Sequence, residues 1–150
     1  MGKLELKIVT PEKVVFEDQA VDSVSVMTES GEVTILPGHV PLVANLQPGE
    51  ARYRQNGQEH LLAVSTGFLE VRDGKQVILL ADTADRAEEL ELSVIEAAKA
   101  KARALLEKKR DLDEVSFAEA AAMLERELAR ERVARKKYRA LPAMPPRTEQ

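Results

Sequence analysis

Apolar and polar residues alternate in short runs through the first half of the chain, and recur at a spacing of three and four through the second. Leu4, Leu6 and Ile8 alternate with Glu5 and Lys7 until Pro11 ends the run, which is the period of a half-buried strand. Val14-Val15-Phe16, Val24 and Val26 among serines, and Val33 with Ile35 continue the pattern. Glu50 to Gln55 leads into Asn56-Gly57 and returns as Gln58 to Val64, a strong hairpin signal. Phe68 to Val71 reaches Asp73-Gly74, and Gln76 to Ala81 returns as a buried run. Short strands with frequent turns predict an antiparallel β-sandwich or flattened barrel. Strands and helices do not alternate, so a parallel nucleotide-binding sheet is not expected.

The second half predicts two helices. Ser93-Val94-Ile95-Glu96 and Ser116-Phe117-Ala118-Glu119 each fit a capping box. Val94, Ala97, Ala98, Lys101, Ala102 and Leu105 form the expected inner stripe of the first helix; Phe117, Ala120, Ala121, Leu124 and Leu128 form that of the second. The polar link Asp111 to Val115 is short, which favours an antiparallel α-hairpin. An alanine seam buries little area at about 25 cal/mol per Å², so this hairpin is expected to dock marginally and to detach. The fold class is therefore α+β, β first and α second. Residues 1–84 form the sandwich, 85–140 the hairpin, and 141–150 a disordered tail with three prolines.

Composition sharpens the split. All seven glycines fall at or before Gly74, and residues 75–141 hold neither glycine nor proline. Residues 1–84 carry net charge −5 and residues 85–150 net +1, giving −4 in total. That balance argues against nucleic acid as a partner. The absence of cysteine removes disulfides, thiolate chemistry and Cys-based zinc sites. No signal-peptide core and no run of about 20 apolar residues occurs, so a soluble, cytosolic chain is expected, touching a membrane only through a complex.

Few residues offer chemistry. His39 and His60 are the only histidines; neither belongs to a nucleophilic or metal-binding constellation. A structural or interface role is the expectation for His39, with a small His39 enzyme as a remote rival, and a surface or packing role for His60. Asp82, Asp85, Glu88, Glu89 and Glu91 precede the first helix; they read as a cation or partner site, or as charges favoured by the helix dipole. Residues 126–139 contain Arg126, Arg130, Arg132, Arg135, Lys136, Lys137 and Arg139 against Glu127 and Glu131, net +5. They read as a solvated face or as electrostatic docking on an acidic partner. No phosphate loop, Gly-x-Gly-x-x-Gly or zinc motif occurs, and no metal or cofactor is expected.

One block is far more specific. Gly31-Glu32-Val33-Thr34-Ile35-Leu36-Pro37-Gly38-His39-Val40-Pro41-Leu42 joins two glycines and two prolines into a rigid surface loop. With Thr10-Pro11-Glu12-Lys13-Val14-Val15-Phe16, Gly67-Phe68-Leu69-Glu70-Val71 and Leu80-Ala81-Asp82-Thr83-Ala84 in order, the chain resembles the epsilon-subunit family of the F-type, proton-translocating ATP synthase (delta in mitochondria). The resemblance covers the whole ordered chain. It implies a non-catalytic rotor subunit of the central stalk, peripheral on the cytoplasmic face of a bacterial membrane, coupling proton flow through the c-ring to ATP synthesis. It implies partners in the gamma subunit, the c-ring and the beta/alpha catalytic head. The gamma and c-ring contacts would involve Glu29, Ser30, Gly31, Glu32 and His39. The hairpin would extend along gamma and inhibit hydrolysis, with Arg126, Arg130, Arg132, Arg135, Lys136 and Lys137 meeting an acidic segment of beta.

Some family members bind ATP in the folded-down hairpin through an Ile/Leu-Asp-x-x-Arg-Ala motif. The matching residues here are Leu90-Glu91-Leu92-Ser93-Val94-Ile95, so Val94 and Ile95 replace the arginine and alanine. Glu91, Arg126 and Arg130 are the remaining candidates for such a site, and weak or absent ATP binding is expected. The alternative function is a free-standing β-sandwich adaptor that grips one protein with its hairpin.

Overall fold

The computed structural model describes residues 2–108 and 114–140, with side chains through residue 137. Ten strands run β1 Leu4–Val9, β2 Val14–Val21, β3 Ser23–Thr28, β4 Gly31–Ile35, β5 Leu42–Leu46, β6 Gly49–Gln55, β7 Gln58–Val64, β8 Gly67–Arg72, β9 Gln76–Ala81 and β10 Ala84–Arg86. A short 3₁₀ turn, Ala87–Glu89, leads to helices α1 Leu92–Glu107 and α2 Glu114–Ala140. The expected tail at 141–150 and the start of the expected link, Asp111 to Asp113, lie outside the described residues. Glu114 and Val115, expected in the link, open α2.

The strands form one sheet in the order β10-β7-β6-β3-β5-β8-β9-β1-β2, with β4 paired to β3. It curls into a nearly closed sandwich because alternate residues face a single core. Leu4, Leu6 and Ile8 of β1, Val24 and Val26 of β3, Leu69 and Val71 of β8, and Val77 and Leu79 of β9 are all at most 1% exposed. The expected antiparallel pairing holds except at one place. β1 runs parallel to β9, Glu5 opposite Gln76 through Val9 opposite Leu80. The two strands lie too far apart in the chain for a hairpin to set their direction. The outer strands, β2 and β10, are linked by side chains instead. The Arg86 guanidinium of β10 donates to the Val15 carbonyl of β2 at 2.7 Å, and Phe16 of β2 also stacks on Tyr53 of β6 with centroids 4.4 Å apart.

The turn residues behave as their chemistry requires. Asn56 and Gly57 take φ of 52° and 75°, the two positive values of the tight hairpin turn. At Gly67 the constraint is contact: a Cβ there would lie 1.8 Å from the Leu80 carbonyl oxygen. β5 and β10 are absent from the sequence expectation. Both are short, and β5 directly follows Pro41.

The α-hairpin is present, but its details correct four expectations. α1 is capped by Glu91 without a side-chain hydrogen bond, so Ser93 lies inside the helix. Ser116 likewise lies inside α2. Leu90 is buried and Leu92 packs beside it; seating these two leucines outweighs a cap hydrogen bond of about 1 kcal/mol. The inner stripe of α1 is also rotated. Ile95, Lys99 and Ala102 are buried and Val94 is 62% exposed, while Ala97 and Lys101 face solvent. On α2, Ala120 is buried as expected but Phe117 is 40% exposed, and the buried face continues through Glu127, Ala129, Val133 and Ala134.

Candidate functional site

α2 lies across β6 and β7, and α1 packs on α2. The apolar part of this seam is small: Ala63, Ala87, Leu90, Ile95, Val133 and Ala134, flanked by Leu61 and Leu92. Polar contacts surround it. Arg130 Nε donates to Asp85 Oδ2 at 2.7 Å, and Arg130 Nη1 to Glu127 Oε1 at 2.6 Å. Lys136 pairs with Glu50, and Lys137 Nζ donates to the Glu88 carbonyl at 3.3 Å. Within the hairpin, Lys99 pairs with Glu131, and Arg135 Nε donates to Glu131 Oε1 at 3.2 Å.

These pairs set the local electrostatics. Burial works to lower the Arg130 pKa, but its bonds to Asp85 and Glu127 leave it above the usual arginine value. The Lys99 ammonium, helped by Arg135 and opposed by desolvation, holds the Glu131 carboxyl below the usual carboxylate range. Burial pushes the Tyr53 phenol up against the opposing charge of Arg86; Tyr53 also stacks on His60 at 4.7 Å, so His60 packs as expected.

The basic residues of the sequence pattern therefore do not form one solvated face. Arg130, Arg135, Lys136 and Lys137 all have carboxylate or carbonyl partners inside the chain. Arg126 Nε is buried and lies 3.8 Å from Glu127 Oε1. Arg132 is exposed and lines a cleft of about 390 Å³ with Arg52, Arg135, Lys136, Glu32, Glu50 and Met27. The Arg139 side chain lies outside the described residues.

A second cleft, of about 460 Å³, lies at the root of α1. It is lined by Asp85, Glu89, Leu90, Glu91, Val94, Ile95, Ala98, Glu127 and Arg130. Two of the three candidate nucleotide residues, Glu91 and Arg130, meet there; Arg126 is not in the lining. Four carboxylates face one guanidinium, and that guanidinium is already held by two of them.

The five residues expected at the rotor contact divide between the two ends of β4. Glu29 and Ser30 form the β3–β4 turn, Gly31 opens β4 at φ 112°, and Glu32 pairs with Arg52. His39 lies in the loop after β4, its Nδ1 2.7 Å from the Val40 carbonyl oxygen. That loop is fixed to the β8–β9 turn by the Gly38 N–H, which donates to Gly74 O at 2.7 Å.

Sequence reasoning did not single out an apolar face on the outside of the sandwich. Val43, Phe68 and Leu80 are 71%, 54% and 45% exposed. Phe68 stands opposite Leu80 across β8 and β9, and opposite Asn45 across β5 and β8. The signal was present: Phe68 and Leu80 are out of phase with the buried Leu69, Val71, Leu79 and Ala81. Among the described residues no group of His, Asp and Glu is placed to hold a metal. No described helix is long and apolar enough to cross a membrane.

Residues 3–87 match the family described as ATP synthase, Delta/Epsilon chain, beta-sandwich domain. The chain is 44% identical to the ATP synthase epsilon chain of Bacillus velezensis over 121 residues, 81% of this chain and 90% of the relative. It is 42% identical to that of Dehalococcoides mccartyi over 137 residues, 91% and 96% of the two. Its fold is similar to a chain in the cryo-EM structure of Euglena gracilis mitochondrial ATP synthase, OSCP/F1/c-ring in rotational state 1. There the TM-score is 0.74 at 23% identity, covering 88% of this chain and 81% of the other. The sandwich, the hairpin behind it and these full-length likenesses place the chain in the epsilon-chain family of the ATP synthase, whose members are non-catalytic subunits of the central stalk.

Proposed function

We propose that this chain couples rotation of the stalk to proton flow and that its hairpin is a mobile arm restraining ATP hydrolysis. The sandwich, β1 to β10, is the fixed part. The exposed apolar face of Val43, Phe68 and Leu80 suits a permanent protein contact, since such a patch is costly to leave in water. We assign it to the gamma shaft. The β3–β4 turn and the His39 loop remain available for gamma and the c-ring, and the complex carries the chain to the cytoplasmic face of a bacterial membrane.

The arm, helices α1 and α2, rests on one observation. Arg130, Lys136 and Lys137 hold the docked hairpin to acceptors on β10, β6 and the 3₁₀ turn. The same cations, released, can meet an acidic segment of a beta subunit. The docked and extended states thus compete for one set of charges. Three of the six buried residues of the apolar seam are alanine, which keeps the buried area low and makes docking marginal.

The root cleft carries an excess of carboxylates, and Val94 replaces the arginine of the family's nucleotide motif. Repulsion of phosphates is therefore the reading for this cleft. Deleting residues 88–150 in the assembled complex tests the division of labour. Assembly and proton coupling are expected to persist while ATP hydrolysis rises. Lost assembly, or unchanged hydrolysis, contradicts it.

A further inference from the structure

We infer that the docked hairpin is locked by a charge clasp at its root, in which Asp85 and Glu127 grip the Arg130 guanidinium from two sides, making docking sensitive to ionic strength. The post of this clasp is immobile. Asp85 sits in β10 between Ala84 and Arg86, in register with Ala63 of β7. Its neighbour Arg86 is bonded to the Val15 carbonyl at 2.7 Å and lies 5.7 Å above the Phe16 ring. The strand cannot follow the hairpin without breaking that anchor, so a departing α2 must separate Arg130 from Asp85.

The gripped group belongs to the arm. Side-chain exposures are 21% for Arg130, 29% for Asp85 and 6% for Glu127. Such partly buried, charge-assisted bonds are screened less than surface pairs, but they still weaken in salt. Glu127 moves with Arg130, being three residues earlier on α2, so it orients the guanidinium toward Asp85 in the docked state. The second tie, Lys136 to Glu50, has the same polarity, with the cation on the arm and the anion on the sandwich. Salt therefore weakens both ties together, leaving the apolar seam of Leu90, Ile95, Val133 and three alanines to hold the docked state.

The inference rests on the mobile-arm reading for its consequence, but it is measured on the isolated full-length chain. The chain has no cysteine, so Gln58→Cys and Ala122→Cys, both at exposed positions, give one spin-label pair. The distance distribution is recorded from about 0.05 M to about 0.5 M NaCl, across the range where screening changes most. The docked population is expected to fall with salt. Asp85→Asn and Arg130→Gln are each expected to raise the undocked fraction about tenfold at low salt and to flatten the salt response, with Asp85→Glu recovering the parent behaviour. Identical distributions for parent and Asp85→Asn at every salt overturn the clasp, as does release by Arg130→Gln but not by Asp85→Asn. Either result leaves the hydrolysis test untouched, so failure of the clasp and failure of the mobile-arm reading are separable.

Discussion

Lys99 of α1 and Glu131 of α2 form an ion pair in the middle of the hairpin, with side-chain exposures of 11% and 17%. It joins two helices whose buried residues, Lys99 aside, are Ile95 and Ala102 on α1 and Ala120, Glu127, Ala129, Val133 and Ala134 on α2. Because Lys99 and Arg135 hold the Glu131 pKa below its ordinary 4.5, its contribution is present above that pH and is lost as pH falls through the depressed value. Protection factors of the α1 amides, corrected for the intrinsic pH dependence of exchange, are expected to fall as the solution is taken from about pH 6 to about pH 3.5. Glu131→Gln should already be less protected at neutral pH and should show a shallower pH response. Equal protection in both proteins across the range would count against this coupling.

Gly67→Ala should damage the sandwich more than any exposed substitution. The added methyl meets the Leu80 carbonyl oxygen at 1.8 Å, and the obstacle is backbone that cannot rotate away. A loss of about 3 kcal/mol is expected, measured as a lower urea midpoint. A midpoint within error of the parent would show that β8 and β9 can separate at low cost.

Phe68→Ser removes the centre of the exposed apolar face without opening the core, because Phe68 is 54% exposed. The thermal midpoint of the isolated chain should stay within a few degrees, while affinity for the gamma subunit should drop at least about tenfold. Undiminished affinity would move the shaft contact elsewhere.

Calorimetry with Mg-ATP and the full-length chain should give no binding in the micromolar range. The carboxylates of Asp85, Glu89, Glu91 and Glu127 surround the root cleft, and its guanidinium is engaged. Asp85→Asn with Glu127→Gln, which removes two negative charges and frees Arg130, is the pair of changes most apt to create detectable affinity. Micromolar binding by the parent would refute the reading of this cleft.

Much of the sandwich was legible in the alternation of Leu4, Leu6 and Ile8 and in turns such as Asn56-Gly57, because period and turn chemistry are local. The parallel partner of β1 was not, since alternation fixes a strand's face but not its neighbour. The helices were legible as helices, yet their rotation was not. Ile95 and Val94 are adjacent, and only the apolar pocket of Leu61, Ala63 and Leu90 decides which turns inward. The basic run of α2 was visible, but its partners Asp85 and Glu50 come from distant strands. Glu127 and Lys99, buried through pairing, look in sequence like ordinary surface charges. The candidate contacts at Glu29 and His39 were legible as loops, whereas their separation by β4 required the fold.

The first strand, β1, is held on one side by β9, whose residues 76–80 follow some seventy positions later in the chain. Until then β1 has only its hairpin partner β2, and Leu4, Leu6 and Ile8 have no lid. Completion of the barrel is therefore a late step, governed by a distant contact. Residues 84–86 follow at once to close the opposite rim, so the arm is joined directly to the last strand of its base.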